Sequence, residues 1–122
     1  MRRILLSISL ALGLALGVSA CAAPADPVAL DAGTVIIDVR TPAEFAEGHL
    51  DGAVNIDVQS GDFDAQISSL DPDGSYVVYC RSGNRSSQAI DRMTALGFSD
   101  MIDGGSVASA SSVTGLPVVT GP

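Results

Sequence analysis

Tyr76-Val77-Val78-Tyr79-Cys80-Arg81-Ser82-Gly83-Asn84-Arg85-Ser86 passes from a continuous apolar run into a polar, glycine-containing loop and then into a helical pattern. The run follows the turn cluster Asp71-Pro72-Asp73-Gly74 and predicts a strand buried on both faces, as in a parallel sheet. Downstream, from about Ser86 to Leu96, Ala89, Ile90, Met93 and Leu96 repeat with helical spacing, and Gly97 stops the helix. The loop therefore leaves the carboxyl end of a buried strand, which is where open α/β sheets bind ligands. Gly83 takes positive φ without steric penalty and Asn84 tolerates it better than most residues, so successive N–H groups can curl inward. Continued by the unpaired amides and positive dipole end of the next helix, such a nest binds anions.

A sulfur at the centre of that nest is held as thiolate. Helix N-termini and nearby Arg lower a Cys pKa from ~8.5 into the range ~3.5 to 7.5. A Cys ending a buried strand is, taken alone, more often a small inert hydrophobe. Here the flanking Arg-Ser-Gly-Asn-Arg is incompatible with an apolar setting and makes Cys80 a candidate nucleophile that needs no neighbouring His.

Working outward, Thr34 to Val39 is a second continuous β-branched run and predicts another strand covered on both faces. Thr41-Pro42-Ala43-Glu44 spells a helix start, with Thr at the cap, Pro at the first helical position and Glu three residues after the cap; Gly48 ends that helix within two turns. Ala53 to Ile56 reads as a short strand, Asp62 as the cap of a helix carrying Phe63, Ile67 and Leu70 on one face, and Met101-Ile102 as a last short strand. Strands alternating with short helices indicate an α/β fold with a small, mostly parallel sheet flanked by helices. Ser106 to Pro122, rich in Ser, Ala, Val and Gly, fits a weak helix and a loose tail equally.

The loop Cys80 to Ser86 resembles the active-site loop of the rhodanese (sulfurtransferase) family. The stretch Asp38-Val39-Arg40-Thr41-Pro42-Ala43-Glu44-Phe45-Ala46-Glu47-Gly48-His49-Leu50-Asp51-Gly52-Ala53-Val54-Asn55-Ile56 is similar to that family's upstream signature, and Gly115-Leu116-Pro117-Val118-Val119 to its usual close. The resemblance implies a rhodanese-like domain over residues 33–120 in which Cys80 accepts sulfur as a persulfide. It further implies that the backbone amides of Arg81, Ser82, Gly83, Asn84 and Arg85 cradle the outer sulfur, with Arg81 and Arg85 attracting a small anionic donor such as thiosulfate and a thiol or cyanide as acceptor. No cofactor is implied. Four residues separate Cys80 from Arg85, the short loop of the sulfurtransferases, whereas related phosphatases and arsenate reductases carry one more. Oxyanion chemistry is thereby disfavoured. Only Asp26 to Gly33 stands where the family usually has a strand and a helix, so the N-terminal elements are expected to be shortened. The stretch Ser106 to Ser112 lacks the aromatic residue that often follows the Gly pair. Both departures remove core from a small domain, and they motivate an alternative reading: a non-catalytic sulfur-carrier or binding module completed by a membrane-associated partner.

The 122 residues suit one domain. Arg2 and Arg3 followed by the apolar run Ile4 to Val18 form an export leader, too short for the ~20 residues of a spanning helix. Its end, Val18-Ser19-Ala20-Cys21, resembles the bacterial lipobox, which implies cleavage after residue 20 and lipidation of Cys21, with residues 21–32 as linker to a domain tethered outside the cytoplasmic membrane. Two Cys exclude a disulfide scaffold, and one of them is assigned to lipid. The formal charge of -8 becomes -10 once Arg2 and Arg3 leave, which excludes nucleic acid as electrostatic partner. His49 is the only His, so no His-based metal site is available, and Asp62, Asp64, Asp71 and Asp73 lack the spacing of a calcium loop. Asp38, Arg40, Glu44, Glu47 and His49 are read as structural, with Glu44 closing a capping box.

Overall fold

The computed structural model describes residues 27–122. The elements in order are β1 Val35–Asp38, α1 Pro42–Glu47, β2 His49–Leu50, β3 Val54–Asn55, α2 Phe63–Ser68, β4 Ser75–Tyr79, α3 Asn84–Ala95, β5 Asp100–Gly105, α4 Val107–Thr114 and β6 Val118–Val119. The two apolar runs become the central strands of a four-stranded parallel sheet ordered β3-β1-β4-β5. Their register pairs Ile36 with Val77 and Ile37 with Val78.

Because successive residues of a strand point to opposite faces, each run feeds two cores at once. On one face Ile37, Val39, Tyr76, Val78 and Cys80 pack with Phe63 and Ile67 of α2 and Ala89 and Met93 of α3. On the other, Ile36, Val77 and Tyr79 pack with Leu50 and with Ala110 of α4. This double cover explains why neither run alternates apolar with polar residues, and it confirms the α/β reading.

Several local expectations needed correction. Asp62 precedes α2, yet its side chain makes no capping hydrogen bond; the helix is fixed instead by burial of Phe63 and Ile67. The third helix starts at Asn84, two residues before the expected Ser86, and Leu96 lies just past its last residue, 38% exposed. The segment after Ser106 resolves in favour of order. Ser106 Oγ accepts the Ser109 N–H at 3.1 Å and caps α4, and Gly115 at φ 72° ends it. The chain then returns as β6 to pair antiparallel with β2, His49 opposite Val119 and Leu50 opposite Val118. Two-residue strands carry no periodicity, so this ribbon was invisible in the sequence.

The missing aromatic after the glycine pair is offset by close approach. A Cβ on Gly104 would stand 3.0 Å from Ala110 Cβ and 3.2 Å from Tyr79 Cβ and Val77 Cγ1, so only glycine lets α4 sit this near the sheet. The short front agrees with expectation. Residues 27–34 form no strand; Val28 N–H donates to Val113 O at 2.8 Å and Leu30 packs on the second core, and among the described residues β5 is a sheet edge. The leader, most of the linker and Cys21 lie outside the described residues. Among those described, no helix is long and apolar enough to cross a membrane.

Candidate active site

β4 delivers Cys80 to the carboxyl end of the sheet, where its N–H donates to Gly105 O at 2.8 Å. Gly83, at φ 92°, reverses the chain so that its own N–H reaches Cys80 Sγ at 2.9 Å. Ser86 Oγ lies 3.6 Å from the sulfur. Burial pushes the Cys80 thiol up, but the Ser86 hydroxyl, which can donate once the sulfur is ionised, and the amides of Ser86, Ser82 and Gly83 outweigh it, and the thiol stands below its ordinary value. The nest predicted from sequence is therefore present, with one correction. Among the described residues no non-glycine residue has positive φ, and Asn84 is already right-handed as the first residue of α3. A single left-handed residue suffices because the helix itself continues the ring of amides.

The two loop arginines are placed differently. Arg81 is exposed and makes no ion pair among the described residues, as are Ser82 and Asn84 exposed beside it. Arg85 is turned toward α1, where Nη1 and Nη2 donate to Glu44 Oε1 and Oε2, both at 2.8 Å. Glu44 also meets its predicted cap: its N–H donates to Thr41 Oγ1 at 3.3 Å, and it is the Thr41 hydroxyl that donates back to Oε1, at 3.1 Å. The bidentate Arg85 chiefly, with Thr41 assisting and burial opposing, holds the Glu44 carboxyl down to about 2.

A pH dependence follows from that pair. Since the folded value lies below the ~4.3 of a free Glu, the stabilisation is complete above about pH 4.3 and is lost as pH falls toward about 2. Glu44→Gln is expected to lose about 1 kcal/mol at neutral pH, given a half-open bidentate pair. Urea midpoints of the two proteins should converge near pH 2, and a gap independent of pH would show that the ion pair is not its source.

Within the upstream signature Asp38 and Arg40 pair with one another. Asp38, fully buried, takes Arg40 Nε at 3.0 Å, Nη2 at 2.6 Å and the Arg40 N–H at 3.0 Å, while Nη2 also donates to Gly48 O at 2.6 Å. His49 stacks on Phe45 with centroids 3.6 Å apart and places Nδ1 2.7 Å from Phe45 O. Neither group approaches the sulfur by a hydrogen bond. Among the described residues no cluster of His, Cys, Asp and Glu could hold a metal.

Asp103 was not anticipated. Its Oδ1 accepts from Ser86 Oγ at 2.7 Å and from the Gly105 N–H at 3.0 Å, placing a carboxylate one hydroxyl away from Cys80. The available signal was positional: Asp103 precedes the glycine pair ending β5, and adjacent parallel strands end on the same side of a sheet.

Comparison with known proteins bears on this arrangement. The rhodanese-like domain family matches residues 28–110. The chain is 41% identical over 76 residues to the thiosulfate sulfurtransferase GlpE of Pseudomonas putida, covering 60% of this chain and 66% of that protein, just under two thirds of its length. It is 34% identical over 87 residues to a sulfurtransferase of Allochromatium vinosum, covering 70% of this chain and 78% of the relative. Among solved structures, a rhodanese with anions from E. coli superposes with a TM-score of 0.61 at 26% identity, covering 72% of this chain and 99% of that one. A rhodanese-like domain protein from Staphylococcus aureus gives 0.58 at 25% identity, covering 71% and 82%.

Proposed function

The chain belongs to the rhodanese-like domain family, and on that premise we propose that it transfers sulfane sulfur through a Cys80 persulfide. One observation carries the reading: at the start of α3 the Gly83 N–H donates to a buried thiol at 2.9 Å, and among the described residues no carboxylate or imidazole hydrogen-bonds the sulfur as a base. Such a site stabilises a sulfur anion. The Cys80 thiolate attacks the outer sulfur of thiosulfate, a new S–S bond forms, the old S–S bond breaks with its electron pair, and sulfite leaves. Charge is conserved, because the persulfide keeps the one negative charge that the thiolate brought. A thiophilic nucleophile such as cyanide or a thiolate then takes the outer sulfur and returns Cys80 as thiolate.

Arg81 is the guanidinium open to an incoming anion, while Arg85 contributes its field from its seat on Glu44. Cys80 is 0% exposed, so a donor reaches it only when the exposed Arg81-Ser82 segment moves aside. We place the domain outside the cytoplasmic membrane on a lipidated Cys21; the leader and its Val18-Ser19-Ala20-Cys21 ending support this. A second reading, a sulfur carrier serving a membrane-associated partner, is favoured by β5 standing at an edge of the sheet among the described residues.

One mass-spectrometric experiment addresses these points. Full-length protein purified from membranes and incubated with thiosulfate should gain one sulfur on the Cys80 peptide, release it to cyanide as thiocyanate, and begin at a diacylated Cys21. No sulfur on folded protein would sink the transferase. Loading without turnover would favour the carrier, and an unmodified Cys21 would remove the anchor.

A further inference from the structure

Ser86 has one hydroxyl proton and three neighbours able to take it. Its Oγ lies 2.7 Å from Asp103 Oδ1, 3.0 Å from the Gly83 carbonyl and 3.6 Å from Cys80 Sγ. While Cys80 is a thiol, the Asp103 carboxylate is the one anion among the three, and charge-assisted hydrogen bonds are roughly twice as strong as neutral ones. The carboxylate is also aimed, since the same Oδ1 accepts the Gly105 N–H at 3.0 Å. With its proton held there, Oγ turns a lone pair toward the sulfur and accepts the S–H. Once Cys80 ionises, carboxylate and thiolate compete for the same proton. Gly105 completes the linkage, because its carbonyl takes the Cys80 N–H at 2.8 Å.

We propose that Asp103 is a positioning residue for Cys80, holding the single proton of Ser86 Oγ away from the sulfur and so setting how readily the thiol ionises and which way it faces. The inference rests on Cys80 being the nucleophile. It requires only rotation about the Ser86 Cβ–Oγ bond; the thiol proton itself leaves to solvent, and no oxidant or reductant takes part. Other charges facing Cys80 are Arg81 in the loop and Arg85 on α3, the latter paired with Glu44 of α1 and near Asp57. α4 carries no ionisable side chain, the Asp64–Arg92 pair ties α2 to α3, and Asp38 with Arg40 packs toward Tyr79 on the opposite face.

Asp103→Asn tests this, because the amide oxygen can still accept from Ser86 and Gly105 while the charge is gone. The hydroxyl is then freer to donate to the thiolate. Iodoacetamide alkylation of Cys80, followed against pH, should run roughly fivefold faster at pH values below the thiol's midpoint, as expected for one hydrogen bond redirected. In a Ser86→Ala background the Asp103→Asn effect should largely vanish. An equal effect in both backgrounds would mean that Asp103 acts by its field alone, and no effect in either would equally overturn the proposal. Should Ser86→Ala fail to fold, salt makes the same distinction: in 1 M salt the field of an exposed carboxylate is screened within ~3 Å, whereas a proton-sharing effect persists. Alkylation does not depend on sulfur transfer, so a protein that shows this shift but never loads sulfur would fail the transferase reading and leave the role of Asp103 standing.

Discussion

Cys80→Ser is expected to abolish sulfur loading and to reduce thiosulfate:cyanide turnover by a thousandfold or more, on the order of what removing a nucleophile does elsewhere. The geometry explains why the hydroxyl cannot substitute. An amide ring stabilises an anion that already exists, and no group positioned as a base contacts the sulfur to create an alkoxide from Ser. A sulfur-bound persulfide also has no stable oxygen counterpart under these conditions. The fold should survive, because a Ser hydroxyl can accept from the Gly83 N–H and meet Ser86 much as the thiol does. A melting temperature within a few degrees of wild type, together with absent sulfur on the peptide containing position 80, is the expected pair of results. The second Cys sharpens the test: in protein made without the proposed lipid Cys21 is a second thiol, and sulfur found there with turnover retained would move the chemistry away from the loop.

The same loop shows how far sequence reasoning reaches. Gly83 was legible because a strand, a glycine and a helix in succession leave few ways to turn the chain, and its φ of 92° is the conformation that glycine alone adopts freely. Glu44 was legible as a cap, since capping operates over three residues. Its grip on Arg85, 41 positions away, was not, because nothing local distinguishes an arginine aimed at a ligand from one aimed at a neighbouring helix. The relay through Ser86 to Asp103 was hidden for the same reason; it depends on β5 lying beside β4, a fact of sheet order. Likewise, the small residues of α4 read as lost core when counted singly. Only the 3.0 Å approach at Gly104 shows that they trade side-chain volume for proximity. Local chemistry was therefore readable and tertiary pairing was not.

Asp38→Ala should be the most destabilising substitution in the upstream signature, lowering stability by about 3–5 kcal/mol, because it strands a buried guanidinium. The Arg40 guanidinium would keep only the Gly48 carbonyl at 2.6 Å and the Tyr79 ring at 5.9 Å, losing all its bonds to the carboxylate. A domain of this size holds roughly 5–15 kcal/mol in total, so the variant should be partly unfolded near its growth temperature. The asymmetry between breaking and replacing a buried pair supplies the decisive control. Asp38→Leu combined with Arg40→Met removes both charges together and should recover most of the loss, with a urea midpoint near wild type and an unchanged slope. If the pair is structural, as its separation from the sulfur indicates, that double variant also keeps sulfur transfer. A double variant that folds normally yet cannot load Cys80 would show that Asp38 or Arg40 takes part in the chemistry, and would move the boundary of the active site from the loop after β4 to the end of β1.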